Sequence, residues 1–259
     1  MSRLLVISDI HGNHDALRGI IDNVERYDEI IVLGDLVDYG PEPGEVIDFL
    51  REHGARFVRG NHDDAVGYGR DCRCGESTHW VSVWFRENIT NKLLGENDKG
   101  FLRSLPERLV FQLDSIIVEA VHGSPASPLY GYLYPNIDDQ ELCSVLRPGL
   151  RLRDKSREKE CPVGKVFLVG HTHIQFLRTV KGTLIVNPGS VGQPRDGDPR
   201  AGYLLIDTDN DSFMLGRVKY DVEKTINKLR ALGIPDPYYG FLVQILREGI
   251  VPPRPCREK

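Results

Sequence analysis

The sequence predicts an α/β fold in which two mixed β-sheets pack as a sandwich flanked by helices. Three observations carry that expectation. The first third of the chain alternates short apolar runs with helical spacing, in the order strand, helix, strand, helix, strand. Right-handed crossovers then give a largely parallel sheet. Toward the C-terminus five strand-like runs crowd together, with Lys181-Gly182 and Asn210-Asp211 where hairpin turns belong. Polar residues also recur just past the ends of apolar runs, where α/β sheets gather ligands.

Taken in order, Arg3 to Ser8 (RLLVIS) reads as a buried strand, an apolar run stopped by a loop. Asp15 to Arg26 reads as a helix, because Leu17, Ile20, Ile21 and Val24 share one face. Glu29 to Leu33 is the second strand, followed by a turn at Gly40-Pro41-Glu42-Pro43. Glu45 to His53 is a second helix with Val46, Ile47 and Leu50 inward and Gly54 as its C-cap. Arg56 to Arg59 is a third, short strand. The middle reads as helices over His79 to Leu94 and Lys99 to Leu105, then strands Leu109 to Leu113 and Ile116 to Val121 paired around Asp114-Ser115. A helix over Asp138 to Leu146 and a charged surface connection from Arg147 to Pro162 come next. Strands are expected at Val166 to Val169, Phe176 to Val180, Thr183 to Val186, Gly202 to Asp207 and Phe213 to Val218. Helices Val222 to Leu232 and Gly240 to Arg247 finish the chain. Without internal repeat or linker, the 259 residues are expected to form one domain, fraying from Pro252.

Composition narrows the partners. A net charge of -5 argues against a broad nucleic-acid surface. It leaves room for a small phosphorylated substrate, since metal ions would supply positive charge locally. The apolar run Leu4 to Ile7 is interrupted at once by Asp9 and His11, unlike a signal peptide. No stretch approaches the roughly 18 apolar residues of a membrane helix, so a cytoplasmic location without a membrane partner is expected. The five cysteines, Cys72, Cys74, Cys143, Cys161 and Cys256, have no zinc-ribbon or redox spacing. Cys72 and Cys74, the one close pair, are read as reduced thiols.

The unusual residues sit at strand ends. Asp9 and His11 follow the first strand, Asp35 and Asp38 the second, and Asn61, His62 and Asp63 the third. His122 ends the Ile116 to Val121 strand, and His171 and His173 end the Val166 to Val169 strand. Each piece alone has a bland reading, because an Asp after a strand is usually a helix cap. Five such strand ends at one sheet edge are different. Burying so many polar groups together is costly unless something pairs them, and metal ions would do so.

In order and spacing, Asp9-x-His11, Gly34-Asp35-x-x-Asp38, Gly60-Asn61-His62-Asp63, His122 and Gly170-His171-x-His173 resemble the calcineurin-like metallophosphoesterase superfamily. Asn187-Pro188-Gly189-Ser190-Val191-Gly192 resembles its bacterial and archaeal branch related to small phosphodiesterases. The resemblance implies a phosphoesterase with two divalent metal ions. Asp9, His11 and His173 would bind one ion, Asn61, His122 and His171 the other, and Asp35 would bridge them. Nitrogen and oxygen donors without thiolate suit transition metals, Mn first and then Fe, Ni, Co or Zn. Four imidazoles do not suit a Mg or Ca cage. The resemblance further implies attack on phosphorus by a hydroxide shared between the ions. His62 would protonate the leaving alkoxide, with Asp38 accepting a hydrogen bond from its other ring nitrogen.

Three residues are weaker substrate candidates. Asn13 either contacts phosphate or caps a helix, Tyr39 follows Asp38, and Arg195 either reaches an anionic substrate or is a solvated loop cation. Tyr130, Tyr132 and Tyr134 suit stacking on a nucleobase or aryl ester, plain packing, or a contact in a homo-oligomer. His14 is read as a surface residue and His53 as a partner of a helix C-terminus. Two other functions stay open. A protein phosphatase or dinucleoside polyphosphate hydrolase of the same superfamily would carry Asp-Arg-Gly where this chain has Asp38-Tyr39-Gly40. A metal-bearing binding scaffold would lack the histidine present here as His62.

Overall fold

The computed structural model describes residues 3–147 and 161–254. Among these residues ten strands form two five-stranded sheets. The first sheet is built from β1 (Arg3–Ile7), β2 (Glu29–Val32), β3 (Arg56–Phe57), β9 (Ala201–Asp207) and β10 (Ser212–Val218), in the order β10-β9-β1-β2-β3. The second contains β4 (Arg108–Leu113), β5 (Ile116–Val121), β6 (Lys165–Leu168), β7 (Phe176–Val180) and β8 (Thr183–Asn187), in the order β4-β5-β6-β8-β7. β1, β2 and β3 run parallel, as do β5, β6 and β8, while β9–β10, β4–β5 and β7–β8 are antiparallel hairpins and β9 pairs antiparallel with β1. The expected pair of mixed sheets is what forms.

Strand alternation sets the layers. In β1, Leu4 and Val6 face the second sheet and pack with Val118, Ala120, Val166 and Leu168. Leu5 and Ile7 face the other way, onto helices α1 (His14–Asn23) and α2 (Pro43–Glu52), through Leu17, Ile20, Val46 and Leu50. On the far side of the second sheet, Phe167, Val169 and Ile185 pack with Leu142 and Leu146 at helix α7 (Asp139–Val145). Helices α4 (Glu76–Phe85), α8 (Val222–Ala231) and α9 (Tyr238–Glu248) close a further cluster around Val81, Phe85, Ile226 and Phe241.

The structure departs from the expected elements in four places. The Gly60-Asn61-His62-Asp63 string, placed only after the third strand by the sequence, starts helix α3 (Asn61–Tyr68), whose first turn Asp63 closes by accepting the Gly60 amide. The helix expected over His79 to Leu94 loosens into a π-helical stretch, Arg86–Thr90, before the short helix α5 (Asn91–Leu93). Helix α6 (Glu96–Ser104) begins three residues before Lys99, where Asp98 accepts the Gly95 amide. Cys143 and Cys161 form a disulfide between α7 and the approach to β6, which their spacing did not suggest. The expected connection over 147–162 lies mostly outside the described residues, as do 255–259 of the tail. Pro252 is buried and the Arg254 guanidinium lies 5.5 Å from the Trp80 ring centroid, so the tail is held that far.

Candidate metal centre

One edge of the sandwich collects the strand ends. Asp9 and His11 leave β1, Asp35 and Asp38 leave β2, His122 leaves β5, His171 and His173 leave β6, and Asn61 and His62 lie in the first turn of α3. Backbone bonds fasten these loops together: Asp9 N to Gly34 O (3.0 Å), His11 N to Asp35 O (2.9 Å), Gly170 N to His122 O (2.8 Å) and Gly192 N to Asp9 O (3.1 Å). Asp63 accepts the Asp35 and Leu36 amides at 2.8 Å each. Asn187 donates to Gly170 O (2.9 Å) and accepts the Gly189 amide, and Ser190 donates to Asp9 O (2.7 Å). Of twelve non-glycine residues with positive φ among those described, seven are here: Asp9, His11, Asp35, Asp38, Tyr39, His171 and His173. Strained backbone concentrated in one place marks a site that the surrounding structure over-determines.

Two groups of side chains converge. Ligand atoms of Asp9, His11, Asp35 and His173 lie within 4.8 Å of one another, as do those of Asp35, His122 and His171. Asp35 belongs to both. Asn61 joins the second group, its Oδ1 lying 2.9 Å from His122 Nε2.

The hydrogen-bond pattern sets the tautomer of each ring. His11 Nδ1 donates to Val37 O (2.9 Å), and His173 Nδ1 donates to Gln193 O (2.6 Å). A carbonyl only accepts, so each Nδ1 carries the proton and each Nε2 is left with a bare lone pair. Yet the two Nε2 atoms face each other at 3.2 Å, with Asp9 Oδ1 3.3 Å from His173 Nε2. Protonating either ring is no way out, because burial pushes His11 down to about 3 and holds His173 well below the usual histidine range. The second group is fixed from behind in the same way, but here burial lowers His122 while Asp35 outweighs it and raises its pKa to about 9, and only His171 is held well below the usual histidine range. His122 Nδ1 donates to Leu33 O (2.8 Å), leaving Nε2 toward Asn61 Oδ1, His171 Nδ1 (3.0 Å) and Asp35 Oδ2 (3.3 Å). Asp9 Oδ1 and Asp35 Oδ2 are buried without hydrogen-bond partners. Lone pairs aimed at one another in a buried site fit a cation between them, with backbone carbonyls fixing the imidazole tautomers behind.

Beside this edge, His62 Nδ1 lies 2.9 Å from Asp38 Oδ2, and its ring is edge-on to His11 at 5.0 Å. Burial lowers the His62 pKa, but Asp35, Cys72 and Asp38 together outweigh it and raise the group to about 9. Asp38 Oδ2 also accepts from Arg86 Nη1 at 3.1 Å, a buried guanidinium at the start of the π-helical stretch. Sequence reading missed Arg86. Its only signal was an arginine amid apolar helix, and such a residue reads as a surface group until the helix register shifts.

The weaker candidates divide. Asn13 caps α1 by accepting the Ala16 amide, and its amide nitrogen donates to Gly192 O and Tyr220 Oη, so its polar atoms are committed. Tyr39 is buried with its ring against His11 and His62, while its hydroxyl sits 3.8 Å from Cys74 Sγ. The contact expected of Tyr39 thereby reduces to a ring edge. Arg195 faces the centre: its guanidinium lies 6.0 Å from the Tyr39 ring centroid, and its charge helps lower His173. Tyr132 packs on His171 at 4.0 Å and stacks with the exposed Tyr134, whereas Tyr130 donates to Asp64. His14 is half-buried against Phe49, and His53 donates to the Phe49 carbonyl at the end of α2.

Comparisons with known proteins agree with this geometry. A family model for the calcineurin-like phosphoesterase superfamily domain matches residues 2–211. The crystal structure of a metallophosphoesterase from Sphaerobacter thermophilus is 30% identical, covers 96% of this chain and 99% of that one, and superposes with a TM-score of 0.73. The uncharacterized protein MJ0912 of Methanocaldococcus jannaschii is 29% identical over 91% of this chain and 95% of its own length. A symmetrical bis(5'-nucleosyl)-tetraphosphatase of Erwinia tasmaniensis is 41% identical over 22% of this chain and 23% of its own. With the family model covering β1 to β9 and every residue of the candidate centre, the chain belongs to the calcineurin-like phosphoesterase superfamily and is a metal-dependent phosphoester hydrolase.

Proposed function

We propose that this enzyme is a dinuclear phosphoesterase acting on phosphodiesters. In this reading Asp9, His11 and His173 hold one divalent transition-metal ion, Asn61, His122 and His171 hold the other, and Asp35 is shared. One observation carries the dinuclear half: Asp35 Oδ2 is the corner common to both ligand groups and has no hydrogen-bond partner. When bound, two such ions, Mn foremost, supply a Lewis-acidic seat for the phosphate and a water acidic enough to ionise near neutral pH.

The chain's own residues do the rest. His62 holds a proton for the leaving oxygen on Nε2, because its Nδ1 is occupied by Asp38. Asp38 fixes the ring's tautomer and orientation, and Arg86 fixes Asp38. Arg195 meets the nonbridging oxygens of the substrate from the side of Gln193, to which it donates.

The diester preference rests on Tyr39. The residue after Asp38 is a buried ring, so this position supplies no guanidinium to match the additional charge of a monoester. A hydrogen bond to a charged group is worth about 1.5–3 kcal/mol, or roughly 10–100-fold in rate. Aryl phosphodiesters are therefore expected to be hydrolysed at least as efficiently as the matching monoesters by Mn-reconstituted enzyme. Tyr39→Arg moves the kcat/KM ratio toward monoesters by about that factor. A strong monoester preference in wild type, unmoved by Tyr39→Arg, contradicts the diester reading.

A second reading, hydrolysis of dinucleoside polyphosphates, is favoured by the stacked Tyr132 and Tyr134 beside His171, a surface on which a nucleobase can lie. Dinucleoside tetraphosphates belong in the same assay, where kcat/KM above that of aryl diesters selects this reading.

A further inference from the structure

Cys72 and Cys74 stand next to the metal centre and take no part in the chemistry proposed for it. Their sulfurs are 3.1 Å apart and unbonded. The loop between α3 and α4 is shaped to bring them together. Asp71 Oδ1 accepts the Arg73 amide at 2.7 Å, and Arg73, between the cysteines, adopts φ +51°. A left-handed conformation at such a residue costs about 1–2 kcal/mol. Cys72 is buried, whereas Cys74 is partly exposed and lines an open cleft of about 490 Å³ with Arg73, Glu76, His79, Trp80 and Arg254. Among the lining residues two guanidinium groups stand against one carboxylate, the neighbouring Asp71 carboxylate being engaged by His79 at 2.9 Å, and this favours an anionic visitor.

Both cysteines abut groups of the centre. The Cys72 carbonyl accepts from Asn61 Nδ2 at 2.8 Å, which aims Asn61 Oδ1 at His122. Cys72 Sγ is 3.4 Å from Ser82 Oγ, which is 3.4 Å from His62 Nδ1. Cys74 Sγ touches the hydroxyl of Tyr39, whose ring lies against His11 and His62.

We propose that Cys72 and Cys74 are a redox modification site: an anionic low-molecular-weight disulfide of the glutathione class closes them into an intrachain disulfide, and closure turns the enzyme down. The bond itself is independent of the phosphoesterase reading, while its effect on turnover rests on that reading. The Cys74 sulfur attacks one sulfur of the small disulfide, forms a mixed disulfide and releases a first small thiol. The Cys72 sulfur then attacks Cys74, forms the intrachain bond and releases a second. Two protein thiols are oxidised, one small disulfide is reduced to two thiols, and the two protein protons leave on those thiols. A disulfide is about 2.0 Å long, so closure draws the sulfurs together by about 1 Å. The pull reaches Asn61 through the Cys72 carbonyl and His62 through Tyr39. A misplacement of about 1 Å at a catalytic group costs on the order of 10²-fold.

The test uses full-length, Mn-loaded enzyme equilibrated across ratios of reduced to oxidised glutathione, then alkylated and digested with trypsin. Trypsin cuts after Arg73, between the cysteines, so the bond appears as the Asp71–Arg73 peptide joined to the Cys74–Arg86 peptide. As the buffer becomes oxidising, the joined pair accumulates and aryl diester turnover falls in step, by at least about tenfold at full closure. The affinity for Mn weakens with it, and dithiothreitol restores all three. Cys74→Ser removes the joined pair and the sensitivity to oxidation while keeping the activity of the reduced enzyme. Peptides that stay separate over the whole range overturn the proposal, as does a joined pair that changes neither turnover nor Mn affinity. Reduced enzyme that hydrolyses no phosphoester overturns the phosphoesterase reading instead, and the joined peptide with the Mn titration still decides the redox site.

Discussion

His62 is gripped from one side only. Its Nδ1 meets Asp38, Asp38 meets Arg86, and Nε2 is left toward Asp35 at 4.0 Å. Removing the ring should separate metal binding from chemistry. His62→Asn is expected to keep both metals and lose about 10²–10⁴-fold in kcat, with a smaller defect for nitrophenyl esters, whose leaving group needs little protonation. Loss of metal in this variant, measured by elemental analysis, would place His62 among the ligands instead. The same chain gives a pH prediction. A general acid works while protonated, so turnover falls as pH rises through its pKa, which the protein alone raises to about 9 and bound cations draw lower. Arg86 competes with His62 for Asp38, and Arg86→Met frees that carboxylate. The alkaline limb of kcat should therefore move to higher pH, by on the order of one unit. A limb that stays or moves down removes Arg86 from this role. None of this chain beyond His62 and Asp38 was legible in the sequence. Arg86 is contributed by a helix whose register shifts at a π-helical turn, and no spacing rule announces that shift.

Local elements decide how firmly the ligands are set. Gly60 precedes α3 at the point where β2 and β3 end side by side, and an added Cβ would lie 2.1 Å from Asp35 Oδ1 and 2.3 Å from its amide. Gly60→Ala must displace Asp35, so metal content and activity are expected to collapse together. Gly182, in the two-residue turn joining β7 and β8, has positive φ (+75°), unlike Gly60, but an added Cβ would meet nothing closer than 3.9 Å. Gly182→Ala is expected to cost about 1 kcal/mol, lowering Tm by roughly 2–4 °C and leaving metal content alone. Equal loss of metal in both variants, or full metal in Gly60→Ala, contradicts this division. The hairpin was readable because Lys181-Gly182 carries its own turn chemistry. Helix α3 was not, because Asn61, His62 and Asp63 are weak helix formers, and the helix starts only because Asp63 closes its first turn.

At the scale of the molecule, the two-sheet architecture was legible because strand periodicity and turn residues agree everywhere with the final layers: Leu4 and Val6 inward, Leu5 and Ile7 outward. The seven positions proposed as ligands could be singled out because each stands at a strand end or at the helix start that follows one. Their partners could not, since the carbonyls of Leu33, Val37 and Gln193 leave no trace in residue type. Nor could the Cys143–Cys161 pair, which depends on how the chain between α7 and β6 returns. What joins the two sheets chemically is Asp35, whose Oδ2 faces His11 at 3.7 Å and His122 at 3.3 Å. The most direct test is the metal content of reconstituted protein, wild type against Asp35→Ala, with hydrolysis assayed in the presence and absence of chelator. The account predicts close to two Mn ions per wild-type chain, loss of hydrolysis on chelation, its return with Mn, and loss of both metal and activity in Asp35→Ala. One ion or none in wild type that stays active under chelator would contradict it.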